Sequence, residues 1–187
     1  VADRLFREPE LEARWFAFGL LGRTLRADPE RTWQLLRRAA REAADWITVD
    51  NLAHPYATGI ADEPYRWAEL EQLVYSPSRW ERRLVGSTIA TMTHGKRHSG
   101  RGPTVVARAL PLLEQLMGDA EPDVQKALSW AFRSLVPLDP VAIVAALRLE
   151  AERAVSGDDG HRAWVIKDSL SKLDPDVADE LRRQLGG

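Results

Sequence analysis

An aspartate followed directly by a proline occurs three times in this chain of 187 residues, each time ahead of a segment with helical periodicity. The three pairs are Asp28-Pro29, Asp139-Pro140 and Asp174-Pro175. Aspartate caps helix N-termini well, and proline suits the first helical position because its missing N–H has no partner there. Glutamate gives a weaker form of the same signal at Glu8-Pro9, Glu63-Pro64 and Glu121-Pro122. The chain is therefore predicted to be a series of separately started helices.

Apolar residues recur three and four positions apart between these starts, as at Trp33, Leu36 and Ala40. This spacing is typical of amphipathic helices, and no segment shows the alternation that would predict strands. The sequence predicts helices over residues 9–26, 29–46 running on towards 52, 64–75, 77–92, 103–117, 122–136, 140–154, 161–172 and 175–185. We therefore expect an all-α fold.

The spacing of these helices favours a repeat architecture. Successive helix pairs begin roughly 35 to 45 residues apart, which suits the stacked antiparallel pairs of a HEAT-like or ARM-type α-solenoid. With 44% hydrophobic residues, the chain can bury the core of one domain over residues 1–187. Stacked helices of this kind form a concave binding face.

Composition narrows the function classes. The chain has no cysteine, which excludes disulfides, thiolate catalysis and sulfur-ligated zinc. No apolar run reaches the roughly 18 residues that a membrane span needs, so we expect a soluble, cytoplasmic protein with no membrane partner. The net charge of -2 differs from that of most nucleic-acid binders, so DNA binding would depend on local charge.

Trp46 and Asp50 are the first candidate site. They lie four residues apart near the predicted end of a helix, so the indole and the carboxylate would share one face. The alternative is structural, because tryptophan usually packs in a core and aspartate often caps a helix.

Two further segments combine indole and cationic side chains. Trp80, Arg82 and Arg83 fall within one helical turn, where arginine can grip a phosphate. The alternative is a core tryptophan with solvated arginines. Lys126, Trp130 and Arg133 form a basic stripe that lies away from the apolar side of their helix, and an indole on such a stripe is harder to explain as core.

These segments carry a family resemblance. The order W-x-x-x-D, W-x-x-R and K-A-x-x-W-x-x-R resembles the signature of AlkD-like DNA alkylation repair proteins, HEAT-like glycosylases of alkylated purines. The similarity extends from the helix around Trp15 to about Lys172. It implies that Asp50 is the catalytic carboxylate and that Trp46 and Trp130 flank the lesion nucleotide.

The same resemblance implies that Arg83 grips a phosphate near the scissile sugar and that Arg133 contacts the DNA backbone. The expected substrate is double-stranded DNA with N3-methyladenine, N7-methylguanine or bulkier adducts. The expected enzyme is a monofunctional glycosylase without metal or organic cofactor, since no lysine beside Asp50 suits Schiff-base chemistry. We expect a monomer.

Local charge adds to the predicted DNA interface. Between Arg79 and Arg108 there are seven arginines and lysines and one acid, Glu81. A glycine-rich loop in this stretch could follow a DNA backbone, although a solvated loop explains it equally well. His94 and His98 have i, i+4 spacing but flank a glycine, so a metal site is not predicted. The predicted DNA contacts are Arg82, Lys96, Arg97, Arg101, Lys126 and Arg133.

The chain departs from the family pattern at two places. Ile47 follows Trp46 where relatives often carry an acid, so a supporting carboxylate is expected from Asp45 or is missing. We also expect that helices which precede this segment in the family are lacking. Two alternatives follow: a HEAT-like scaffold without catalysis, and a structure-specific DNA binder without turnover.

Overall fold

The structure is a computed structural model that describes residues 1–8, 10–93 and 102–186. About 80% of the described residues are helical, and they form no strand. The helices are α1 (Ala2–Phe6), α2 (Leu11–Thr24), α3 (Pro29–Glu42), α4 (Trp46–Asp62), α5 (Trp67–Leu73), α6 (Arg79–Thr91), α7 (Gly102–Leu116), α8 (Pro122–Leu135), α9 (Pro140–Ser156), α10 (Gly160–Ser169) and α11 (Pro175–Gln184). The predicted all-α class is confirmed. None of the described helices is both long and apolar enough to cross a membrane.

The three Asp-Pro pairs start helices as predicted. Asp28, Asp139 and Asp174 each accept a hydrogen bond from a backbone N–H in the first turn, and the following proline opens the helix. Glu63 and Glu121 also precede helical prolines but make no side-chain capping bond. Glutamate is not among the residues that cap well, which explains the difference.

The prediction of one helix running from 29 towards 52 is wrong. Helix α3 ends at Glu42, Ala43 is extended, and α4 begins at Trp46. Asp45 caps α4, because its carboxylate accepts from the Thr48 N–H at 2.7 Å and from the Thr48 hydroxyl at 2.6 Å. This cap without a proline was missed. It places Trp46 and Asp50 in the first turns of a helix, whereas the sequence had placed them near a helix end.

Other boundaries differ less. Helix α1 was not predicted. The segments predicted as helices over 64–75 and 161–172 each include a 3-10 turn, at Pro64–Arg66 and Leu170–Lys172.

The even-numbered helices form one continuous row. Helix α4 packs between α2 and α6, and α8 packs between α6 and α10. The odd-numbered helices pack against this row: α3 packs on α2 and α4, α5 and α7 pack on α6, and α9 packs on α8 and α10. The hydrophobic core includes buried residues of both sets. We call the solvent-exposed surface of the even-numbered helices the open face of the row.

The closest approach within the row is between α6 and α8, at Gly86. A Cβ atom at this position would lie 2.8 Å from the carbonyl carbon and 2.9 Å from the carbonyl oxygen of Ala127. Real side chains do not tolerate such distances, so only glycine lets the two backbones come this close. Arg83 and Ser87 flank this contact and are thereby fixed relative to α8.

We predict that Gly86→Ala destabilises the protein by about 1–3 kcal/mol, because the methyl group meets backbone that cannot move aside. Gly19→Ala is the matched control, since a Cβ there meets nothing within 4 Å and Gly19 also lies inside a helix. That control should gain about 0.5–1 kcal/mol from helix propensity. Urea unfolding of the two variants measures both effects, and equal stabilities would contradict the close approach.

Candidate active site

Asp50 is held from one neighbouring helix by three hydrogen bonds. Its Oδ1 accepts from Arg83 Nε at 3.1 Å and from the Ser87 hydroxyl at 2.6 Å, and its Oδ2 accepts from Arg83 Nη2 at 2.7 Å. Arg83 and Ser87 are four apart on α6, so they present their donors side by side. The forked guanidinium matches the carboxylate geometry. We call Asp50, Arg83 and Ser87 the α4–α6 clamp.

The clamp lies at the edge of the core. The Arg83 side chain is only 6% exposed, whereas the Asp50 side chain is 21% exposed. Arg83 also donates from Nη1 to the carbonyl of Asp123 at 2.5 Å, at the start of α8. One side chain thus ties α4, α6 and α8 together. All three side-chain nitrogens of Arg83 donate to groups within the protein. Their acceptors in the structure are a carboxylate and a carbonyl, whereas the family resemblance implies a phosphate.

Trp46 stands beside this carboxylate. It is the first residue of α4, one turn before Asp50, and is 53% exposed. The Arg83 guanidinium carbon lies 6.0 Å from the centre of its ring. An indole this exposed is available to stack on a ligand that approaches the free lone pairs of Asp50.

The other predicted residues lie on α8. Lys126 is exposed, Trp130 is half-buried against the core, and Arg133 is half-buried. Arg133 Nη1 donates to the carboxylate of Asp168 at 2.5 Å and to its backbone carbonyl at 2.7 Å. The Ser129 hydroxyl donates to the same carboxylate at 2.6 Å. We call Asp168, Ser129 and Arg133 the α8–α10 clamp.

In the structure, arginines of the predicted basic zone lie next to acidic side chains from another part of the chain. The zone therefore carries less net positive charge than the sequence count suggests. Arg82 makes a two-point ion pair with Asp119, with nitrogen–oxygen distances of 2.6 and 3.3 Å, and also donates to two carbonyls. Arg79 pairs with Glu121 at 3.4 Å. The acids that start α8 therefore offset the arginines that start α6. The side-chain nitrogens of Arg82 all donate to groups within the protein, and the DNA contact predicted for this residue stays a prediction.

Several predictions fall on residues that the structure does not describe. Lys96, Arg97 and Arg101 lie outside the described residues, and so do His94 and His98. Within the described ranges, no group of three or more histidine and acidic side chains is arranged to hold a metal ion.

Asp50 has its hydrogen-bond partners even though Ile47 stands where relatives often carry an acid. Asp45, the carboxylate considered as a substitute, is engaged in capping α4 and lies 3.6 Å from Arg14. The supporting groups for Asp50 come from Arg83 and Ser87 instead. Sequence analysis missed Ser87, Ser129 and Asp168. The i, i+4 spacing of serine and arginine on α6 and α8 was the available signal, but the partner helices could not be read from it.

Comparison with known proteins gives one family. A family model described as DNA alkylation repair enzyme matches residues 1–157, which is most of the chain. No curated protein and no solved structure matches the chain significantly. The matched segment includes the whole α4–α6 clamp and ends before α10.

We predict strong coupling within the α4–α6 clamp. Arg83→Ala should cost about 3 kcal/mol of folding free energy, because it leaves a largely buried carboxylate without its partner. In a double-mutant cycle with Asp50→Ala, the coupling should be about 1–3 kcal/mol. Urea unfolding of the four proteins measures it. Effects that add to within about 0.5 kcal/mol would show that the pair does not hold α4 on α6.

The α8–α10 clamp predicts a pH dependence. Partial burial of Asp168 acts to raise its pKa, but hydrogen bonds from Ser129 and Arg133 and the charges of Arg133 and Lys126 outweigh it, so the pKa lies below the ordinary 3.8. A pKa lowered by folding contributes stability that is complete above the unfolded pKa and is lost as pH falls through the folded one. The stability difference between wild type and Asp168→Asn should therefore be constant above about pH 5 and shrink below about pH 4. Denaturant titrations across this range test it, and a difference that persists unchanged in acid would contradict the clamp.

Proposed function

Since the chain belongs to the DNA alkylation repair enzyme family, which implies a role in the repair of alkylated DNA, we propose that it is a monofunctional DNA glycosylase. Its reaction is hydrolysis of the N-glycosidic bond of alkylated purines in double-stranded DNA. The observation that carries this proposal is a carboxylate fixed by three hydrogen bonds yet partly exposed beside an exposed indole. We propose that it acts as a monomer in the cytoplasm.

The chemistry begins with the substrate. Alkylation at N3 or N7 gives the purine a positive charge, which weakens its bond to the sugar. As the bond breaks, electrons go to the base and positive charge develops at the sugar carbon. A fixed carboxylate stabilises that charge without having to reorient, and it can orient the water that adds to the carbon.

Asp50 is proposed as this carboxylate. Its Oδ1 accepts two of the three hydrogen bonds and its Oδ2 accepts one, so Oδ2 keeps the greater capacity to face a ligand. Arg83 and Ser87 are positioning residues in this scheme, because they determine where the two oxygens lie. The phosphate contact that the family resemblance implies for Arg83 stays a prediction beside this role.

Trp46 and Trp130 are proposed to flank the lesion nucleotide. An indole face attracts a cationic alkylpurine or the developing sugar cation by about 0.5–2 kcal/mol, depending on desolvation. A neutral, undamaged purine gains less, which would contribute selectivity. The described lysines lie on α8 or later in the chain, at Lys126, Lys167 and Lys172, so none on α4 or α6 is available to form a Schiff base.

The DNA is proposed to lie on the open face of the even row, as on the concave side of a HEAT-like solenoid. Trp46 and Asp50 of α4 and Lys126 of α8 all lie on this row with exposed or partly exposed side chains. Contact of this kind with backbone and sugar sets no size limit on the adduct. Lys126 and Arg133 are the described residues proposed for phosphate contact.

A DNA binder without turnover is the second candidate. The pairing of Asp50 with Arg83 favours it, since the ion pair neutralises part of the charge that catalysis needs. The two candidates differ in whether bound alkylated DNA loses its base.

We predict that Asp50→Asn abolishes release of 7-methylguanine and 3-methyladenine from methylated duplex DNA while DNA binding is largely retained. Chromatography of the released bases at low salt measures this. Glu180→Gln is the matched control, because Glu180 of α11 makes a similar two-point ion pair with Arg148 of α9, outside the even row. The control should release both bases at the wild-type rate.

The outcomes separate the candidates. Full release by Asp50→Asn would overturn the proposed mechanism. Binding of alkylated DNA by wild type with no release would establish the binder without turnover. No binding of DNA at all would favour a scaffold for other partners.

A further inference from the structure

The sequence pattern that marks the candidate site occurs a second time. Trp46 and Asp50 on α4 have a counterpart in Trp164 and Asp168 on α10, again four residues apart. The second pair lies outside the segment that matches the family model, residues 1–157. It is also exposed: Trp164 has a relative exposure of 40% and the Asp168 side chain one of 43%.

The surroundings of the two aspartates also correspond. Each carboxylate is held by an arginine and a serine that are four residues apart on the adjacent helix of the even row. Asp50 is held by Arg83 and Ser87 of α6, and Asp168 is held by Ser129 and Arg133 of α8. The two clamps differ in one respect: Asp168 receives these bonds on Oδ2, and Arg133 donates to it from Nη1, whereas Arg83 donates to Asp50 from Nε and Nη2.

Charge distinguishes the second cluster from the first. The α4–α6 clamp holds one acid and one base. Around Asp168 there are two cations: Arg133 donates to its carboxylate, and Lys126 acts on it through its charge. An excess of cations next to an exposed indole suits a nucleotide, whose phosphate is anionic and whose sugar presents an apolar face.

The second cluster, like the first, lies on the solvent-exposed surface of the even row. On α10 the buried residues are Val165, Ile166 and Ser169, so Trp164 and Asp168 point away from the core. Both residues therefore belong to the open face of the row, as Trp46 does.

We propose that Trp164, Lys126 and Arg133 form a second nucleotide-binding subsite for the same DNA duplex. The indole of Trp164 packs against a backbone deoxyribose, and the two cations contact its phosphate. Asp168 is a positioning residue that orients Arg133. This inference rests on the proposed function, because it takes alkylated duplex DNA as the partner.

The test measures the Kd of the full chain for an undamaged duplex by fluorescence anisotropy at low salt. Trp164→Ala should weaken binding about tenfold, as expected for loss of an aromatic stacking contact. Trp164→Phe should retain most of the affinity. Tyr65→Ala is the control, because Tyr65 is also an exposed aromatic residue but lies in the 3-10 turn between α4 and α5, outside the proposed interface. Equal Kd values for wild type and Trp164→Ala would overturn the subsite.

Asp168→Ala tests the positioning role. If Asp168 orients Arg133 towards a phosphate, this variant should bind more weakly and the slope of log Kd against log salt should fall by about one. If Asp168 only repels DNA, the variant binds more tightly, which would overturn the positioning role.

Wild type that releases bases normally while Trp164→Ala binds unchanged would refute this inference alone, whereas wild type that binds no DNA would refute the proposed function as well.

Discussion

The ion pair between Asp50 and Arg83 connects the chemistry of this protein to its architecture. The guanidinium reaches the carboxylate of α4 from α6 and also donates to the Asp123 carbonyl at the start of α8. Removing a charged pair from water is costly unless every polar atom finds a partner, and here the geometry provides them. The Arg83 side chain thereby fixes α4, α6 and α8 relative to one another at the point where Asp50 is partly exposed. The position of the carboxylate is consequently set by helix packing.

That dependence explains why the row packs so closely at this point. Gly86 lies between Arg83 and Ser87 and lets α6 approach the Ala127 backbone of α8. A larger residue would move the two donors of the clamp together with their helix. The α8–α10 clamp repeats the device with a looser grip, because Asp168 is twice as exposed as Asp50. The tighter clamp is the one proposed to fix a catalytic group, and the looser one is proposed to orient Arg133 towards a phosphate.

Much of the fold could be predicted because its signals are local. Asp28, Asp139 and Asp174 cap helices within three residues of themselves, and the proline after each marks the helix start. The break before Trp46 was missed because Asp45 caps α4 without a proline. Trp46 and Asp50 were correctly placed on one helical face, since that depends only on i, i+4 spacing. The partners of Asp50 and Asp168 were not predictable, because they lie 33 to 39 residues away along the chain. The ion pair of Arg82 could not be read from the charge count for the same reason, since Asp119 lies 37 residues further on.

The most direct test of the link between the clamp and the chemistry is the single-turnover rate of base release from a duplex with one 7-methylguanine, at saturating protein, for Ser87→Ala. This variant removes one hydrogen bond to Asp50 Oδ1 and leaves the carboxylate and Arg83 in place. If the position of that oxygen determines the rate, the rate constant should fall by about tenfold, the equivalent of one hydrogen bond to a charged group, while the Kd for DNA stays the same. An unchanged rate constant in Ser87→Ala would contradict the account, because release would then not depend on how α6 holds Asp50.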